Sequence, residues 1–234
     1  MTGAEIAECL AMPLSTVSAV LRRIGLGKRS RLEPLEPPNR YQRRHPGELV
    51  HIDVKKLGRV PQGGGHRIHG RGAGKPRGHG RAGWDFVHVC VDDATRVAYV
   101  EILDDERAVT AVGFLERAVA HFASLGVAVK AVMTDNGSPY VSTLHATTCA
   151  RLGLRHHRTR PYRPRTNGKA ERFIQTLLNG WAYAVAYYNS PHRATALPAW
   201  LDFYNHRRPH GSLSKQAPAT RLDELLNNPA GNYS

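Results

Sequence analysis

A carboxylate set inside an apolar strand constrains this chain more than any other feature. The run Leu49-Val50-His51-Ile52-Asp53-Val54 has the composition of a strand, and Asp53 falls within it. An ionised acid there is costly to bury without a compensating charge or hydrogen bond, so the fold has to supply one. Two other acids stand at suggestive places. Asp135 follows the apolar stretch 127–133 and opens the turn Thr134-Asp135-Asn136-Gly137, while Glu171 falls in the first turn of a helix predicted from Asn167. Each has an ordinary explanation alone, because Asp-Asn-Gly is turn chemistry and an early acid complements the helix dipole. Together, a strand-interior Asp, a strand-end Asp and a helix Glu can converge as hard oxygen ligands for two magnesium ions.

Charge placement points the same way. The 234 residues carry 33 Lys+Arg against 19 Asp+Glu, a formal charge of +14, which favours a polyanionic partner over ordinary metabolic chemistry. Residues 151–172 hold eight Arg or Lys and one acid, Glu171, whereas residues 84–130 hold eight acids against four bases. The positive field is thus concentrated beside Glu171. Cys9, Cys90 and Cys149 are scattered with no C-x-x-C pair, so neither a disulfide framework nor a cysteine-rich zinc module is expected, and a reducing compartment fits. No apolar run approaches the roughly 18 residues needed to span a bilayer, and the first residues lack the layout of a secretory signal. The expectation is a cytoplasmic protein with no membrane partner.

Along the chain, Thr2 with Glu5 predicts a capping box opening a first helix that ends near Met12, and Ser15 is the expected cap of a second, stopped by Gly25. This pair, over residues 1–32, has the layout of a helix-turn-helix in which Ser15, Thr16, Ser18 and Arg22 would touch DNA. Residues 33–47, rich in proline and arginine, read as a linker. A catalytic-sized domain is expected over 48–215, interrupted by an insertion at 58–83 with ten glycines and six Arg or Lys, and followed by a tail at 216–234. Strands are predicted at 49–54, 84–91, 98–103, 127–133 and 154–157, and helices at 107–125, 139–152, 167–188 and 198–205. The class is α/β, with three neighbouring antiparallel strands and a crossover helix before the fourth.

At this point a family likeness emerges. The 35 residues between Asp135 and Glu171, with Thr134-Asp135-Asn136-Gly137 and Pro161-Tyr162-Arg163-Pro164-Arg165-Thr166-Asn167-Gly168-Lys169-Ala170-Glu171-Arg172, resemble bacterial insertion-sequence transposases of the DDE type. His51-Ile52-Asp53 and Tyr204-Asn205-His206-Arg207-Arg208-Pro209-His210 extend the likeness over about residues 48–215. The resemblance implies a ribonuclease-H-like mixed five-stranded sheet flanked by helices, with Asp53, Asp135 and Glu171 holding two Mg2+ or Mn2+ ions. It further implies cleavage at a transposon end to free a 3′-hydroxyl, attack of that hydroxyl on target DNA, and at least a homodimer when two double-stranded ends are paired. Phosphate contacts are expected from Arg163, Arg165, Asn167, Lys169 and Arg172, with Arg207 and Arg208 as further candidates. Related enzymes tend to have more helical residues before this core, so an N-terminally shortened copy is expected.

Three other readings compete. His157-Arg158-Thr159-Arg160 has the H-x-x-R spacing of tyrosine recombinases, with Tyr183, Tyr187 or Tyr188 as nucleophile, and predicts a mostly helical core. A chain that kept the shell of a transposase but only binds DNA would be the non-enzymatic case, argued against by the intact acidic triad. A nuclease of the same fold is the third.

Overall fold

The computed structural model describes residues 2–27, 42–70, 83–159 and 167–227. Residues 28–41, which hold most of the linker expected at 33–47, the centre of the glycine-rich insertion, and Arg163 and Arg165 lie outside the described residues, while 42–47 belong to the second unit. Two compact units divide between Tyr41 and Gln42.

In the first unit, helices α1 (Gly3–Cys9) and α2 (Leu14–Arg23) meet at a bend of 119°. The capping box forms as expected, Thr2 Oγ1 accepting from the Glu5 amide while the Glu5 carboxylate accepts from the Thr2 amide. Ser15 is not the cap of α2. Pro13, extended at ψ 135°, occupies that position and its carbonyl accepts from the Thr16 and Val17 amides, so Ser15 is already inside the helix. Only Ala7 and Val17 are buried in these two helices, and Val20 and, just past α2, Ile24 are exposed.

The second unit is built on five strands: β1 (Val50–Gly58), β2 (Trp84–Asp92), β3 (Ala98–Leu103), β4 (Ala131–Thr134) and β5 (Arg155–Arg158). Their spatial order is β3-β2-β1-β4-β5; β1, β2 and β3 run antiparallel in sequence, and β4 lies parallel to both β1 and β5. A single-turn α3 (His66–His69) follows β1, and the parallel step needs a long crossover, which α4 (Ala108–Ser124) supplies. Alternation along β2 divides the core. Val87, Val89 and Val91 pack on one side with Phe173, Leu177, Trp181 and Tyr204, while Cys90 packs on the other with Ile52, Phe114, Leu115, Phe122 and Val132. Both faces of the sheet are thus covered by helices. Among the described residues no single helix is long and apolar enough to cross a membrane.

Several boundaries differ from expectation for physical reasons. β1 continues to Gly58 because it stays paired with β2 as far as Trp84, carrying Lys55 and Lys56 along the hairpin. The predicted long helix from Asn167 is only α6 (Gly168–Leu177), followed by a π turn at Leu178–Ala182. Trp200 lies so close there that a Cβ on Gly180 would sit 2.6 Å from its Nε1. Helices α5 (Thr143–Arg151), α7 (Ser190–Thr195) and α8 (Leu197–His206) complete the flanks. The supposed tail contains α9 (Pro218–Asn227), whose Leu222 joins the core that holds Phe114 and Ile52. Leu222→Ala should therefore lower unfolding free energy by about 3 kcal/mol, measurable by denaturant titration; a loss below about 0.5 kcal/mol would return this segment to the status of a surface tail.

Candidate active site

The parallel pair β1 and β4 sets two of the three acids side by side. Its register pairs Val50 with Val132 and His51 with Met133, and the same register carried two residues further brings Asp53 opposite Asp135. Neighbouring strands lie about 4.8 Å apart. Asp53 is half-buried on β1, and its Oδ1 accepts from the Val54 amide at 2.8 Å. Asp135, just past β4, is exposed and accepts from the Gly137 amide at 2.8 Å, while Asn136 donates to the Thr159 carbonyl at 2.7 Å and holds the turn to the end of β5. Glu171 is exposed in the first turn of α6.

Electrostatics ties the three acids together. Burial pushes the Asp53 carboxyl up, the charges of Asp135 and Glu171 add to the rise, and the Val54 amide only partly opposes it, leaving a value of about 6. Lys55 offsets the rise only slightly. A cleft of about 110 Å³ opens beside Asp53 and Asp135, lined also by Tyr140 and by Glu106, an acid the sequence reading did not single out. Carboxylates with no thiolate are the donor chemistry of magnesium or manganese, so Asp53, Asp135 and Glu171 fit such ions by type.

A buried polar network ties the start of α6 to β1. His51, fully buried and two residues before Asp53, contacts Asp93 through Nε2 at 2.9 Å and Asn167 Oδ1 through Nδ1 at 3.1 Å. The Asn167 amide also donates to the Ile52 carbonyl at 3.3 Å. Asp93 receives the Lys169 ammonium as well, and the Arg43 amide at 2.6 Å. Burial alone would raise the Asp93 carboxyl, but hydrogen bonds from His51, from the Arg43 amide and from Lys169 outweigh it and bring it to about 2.

This network corrects two expected DNA contacts. Asn167 is buried and its amide is spent on β1, and Lys169 turns its ammonium inward onto a buried carboxylate. Arg172 is exposed as expected; Arg207 pairs with Asp202 at 2.8 Å, and the Arg208 guanidinium lies 5.9 Å from the Tyr204 ring centre. A wider cleft of about 480 Å³ is lined by Arg96, Lys169, Arg172, Thr176, Arg208 and His210, among others. Arg96 was not foreseen; it stands on the β2–β3 turn, far in sequence from the other arginines. In the first unit Ser15, Thr16 and Arg22 are exposed and Ser18 is half-buried. The recombinase reading fails on the fold: its helical core is replaced by a mixed sheet, and the Tyr187 hydroxyl is buried, donating to the Trp181 carbonyl at 2.8 Å.

Two family models described as integrase core domain match the chain, over residues 43–164 and 152–218. An uncharacterized Caenorhabditis elegans protein is 31% identical over 150 residues, 58% of this chain and 11% of that protein. A Spiroplasma virus protein assigned as an integrase is 26% identical over 153 residues, 60% of this chain and 42% of the relative. The chain thus spans less than half the length of either. Among solved structures, one from a simian T-cell lymphotropic virus intasome superposes with a TM-score of 0.61 at 17% identity, covering 94% of this chain and 74% of that one. The catalytic core of bovine immunodeficiency virus integrase gives 0.53 at 16% identity, covering 78% and 98%. These likenesses show a five-stranded mixed sheet flanked by helices of the ribonuclease-H-like kind.

Asp93→Asn should cost about 3 kcal/mol, because it leaves His51 and Lys169 facing a neutral amide in a buried setting. The pH dependence has a defined sign. The folded value of about 2 lies below the ordinary 3.8, so the stabilisation is complete above about pH 4 and is lost as pH falls through about 2. Denaturant titration should show a fall on the order of 2 kcal/mol over that window that shrinks in the variant; an equal fall in both proteins would remove Asp93 from this role.

Proposed function

The chain belongs to the integrase core family, and from that premise we propose that it is a DDE-type transposase of the bacterial insertion-sequence kind, acting on double-stranded DNA. The family places it among polynucleotidyl transferases of the DDE class, which generally use divalent metal ions. The finer reading is that Asp53, Asp135 and Glu171 are its catalytic acids. The observation that carries it is the Asp53 carboxyl, lifted to about 6 by burial and by the charges of Asp135 and Glu171 from a second strand and a helix. Acids assembled this way destabilise one another unless a cation shares them.

Two Mg2+ or Mn2+ ions held by Asp53, Asp135 and Glu171 would supply the charge that activates the attacking oxygen and stabilises the departing one. Everything else falls to the chain itself. In the first reaction a water oxygen attacks phosphorus at the element's end, the bond to the element's 3′-oxygen breaks, and that oxygen leaves as a hydroxyl. In the second, the freed 3′-hydroxyl attacks a phosphodiester of target DNA and a target 3′-oxygen leaves in turn. Lys169 and Asn167 act as positioning residues, since their bonds to Asp93, His51 and Ile52 fix the helix that carries Glu171. Arg172, Arg208 and Arg96, lining the basic cleft, are suited to hold phosphates. The α1–α2 pair would read the terminal sequence through Ser15, Thr16, Ser18 and Arg22, and two ends would be paired by a dimer or larger assembly.

The direct test is incubation of purified protein with labelled candidate ends and Mg2+, scored for 3′-end cleavage and joining. Asp53→Asn, Asp135→Asn and Glu171→Gln should each abolish joining while DNA binding stays within about threefold of wild type, because phosphate contacts are untouched. Retained joining in any of the three would count against the triad. Arg172→Ala should instead weaken binding to all sequences and reduce the slope of log affinity against log salt by about 1; an unchanged slope would reject its phosphate role.

A further inference from the structure

Behind Asp135, on the far side of its strand, lies a second group of metal-binding side chains. His145 and Cys149 are one turn apart on α5, and His156 points to them from β5. One donor atom from each of the three lies within 4.8 Å of the others. His145 Nδ1 and Cys149 Sγ are 3.6 Å apart, and the His145 and His156 ring centres 4.6 Å. His145 is fully buried and Cys149 is 2% exposed. Nothing in the phosphoryl-transfer reading uses these residues.

Hydrogen bonding fixes how His156 is presented. Its Nε2 lies 2.9 Å from Thr134 Oγ1, and that hydroxyl donates its one hydrogen to the Asp135 carbonyl at 2.9 Å. Thr134 therefore accepts from His156, Nε2 carries the proton, and Nδ1 keeps a lone pair. A ring whose second nitrogen is tied to a neighbouring oxygen is the usual state of a metal-bound imidazole.

We propose that His145, Cys149 and His156 bind one zinc ion, with water completing a tetrahedron. Two imidazoles and a thiolate select a borderline-soft cation and are poor ligands for magnesium. Metal–sulfur and metal–nitrogen bonds of about 2.3 and 2.05 Å at a tetrahedral angle put a sulfur and a nitrogen about 3.6 Å apart, which is the separation already present between Cys149 and His145. Binding releases one proton, from the Cys149 thiol to solvent, while both imidazoles enter neutral. The ion would join α5 to β5 and, through Thr134, brace the backbone that presents Asp135.

Cobalt is the probe. The full chain, stripped of metal and titrated with Co2+ without DNA, should develop the intense visible bands of four-coordinate cobalt and a thiolate-to-cobalt charge-transfer band, both saturating at one equivalent and displaced by Zn2+. Cys149→Ser should abolish the charge-transfer band and Cys9→Ser should preserve it. Cobalt held only by the carboxylates of the other site would show neither signal, so the two sites are read separately. Absence of the charge-transfer band in the wild type, or its survival in Cys149→Ser, would overturn the proposal. If Cys149→Ser does not fold, His156→Gln on the partly exposed edge strand decides the matter: cobalt binding weakened about tenfold or more is expected, and unchanged affinity would overturn the assignment.

Discussion

One buried carboxylate organises the candidate active site without belonging to it. Asp93 has no solvent exposure, and it draws together His51 of β1, the amide of Arg43 and the ammonium of Lys169 from α6. A charge so placed is favourable only if its partners are fixed, because removing any one leaves a buried ion uncompensated. The consequence is geometric. His51 is two residues from Asp53 and Lys169 two from Glu171, so their shared bond to Asp93 ties the strand that carries Asp53 to the helix that carries Glu171.

The other constraint is register. Asp53 and Asp135 are about eighty residues apart in sequence, and the parallel pairing of β1 with β4 carries them to the same level. A slip of one residue would turn Asp53 to the opposite face of the sheet from the cleft. The crossover helix α4 guards against that slip by burying Phe114, Leu115 and Phe122 against Ile52 and Val132 from those same strands. Hydrophobic packing on one side of the sheet thus fixes the spacing of charges at its edge.

Local pattern made much of this legible. β3 over 98–103 and α4 near 107–125 stand where alternation and helical spacing put them, and the three acids were found from their settings and from a family likeness. What stayed hidden depended on contacts between distant residues. Asn167 and Lys169 look like exposed polar residues at a helix start, and only the fold reveals that Asn167 is capped onto β1 and Lys169 is drawn to Asp93. Leu222 and Leu225 lie within a short polar stretch, so nothing nearby announced that α9 would be pulled into the core. The His145–Cys149–His156 group escaped because its ligands are divided between a helix and a strand, whereas a search for paired cysteines finds only isolated ones.

Helix α6 shows how a ten-residue segment can serve three surroundings at once. Ala170, Phe173, Ile174 and Leu177 form its buried stripe against the sheet. Lys169, Arg172 and Thr176, three and four residues apart, lie along the basic cleft, Glu171 raises the Asp53 carboxyl with its charge, and Asn167 just before the helix bonds His51 and the Ile52 carbonyl of β1. Adjacent residues on a helix point about 100° apart, so Glu171 and Arg172, neighbours in sequence, face different surroundings. Like charges would repel along either stripe in isolation. Arranged on one rigid helix, the acids can draw cations to one flank and the arginines phosphates to the other, and the relative position of the two is set by packing rather than by the charges themselves.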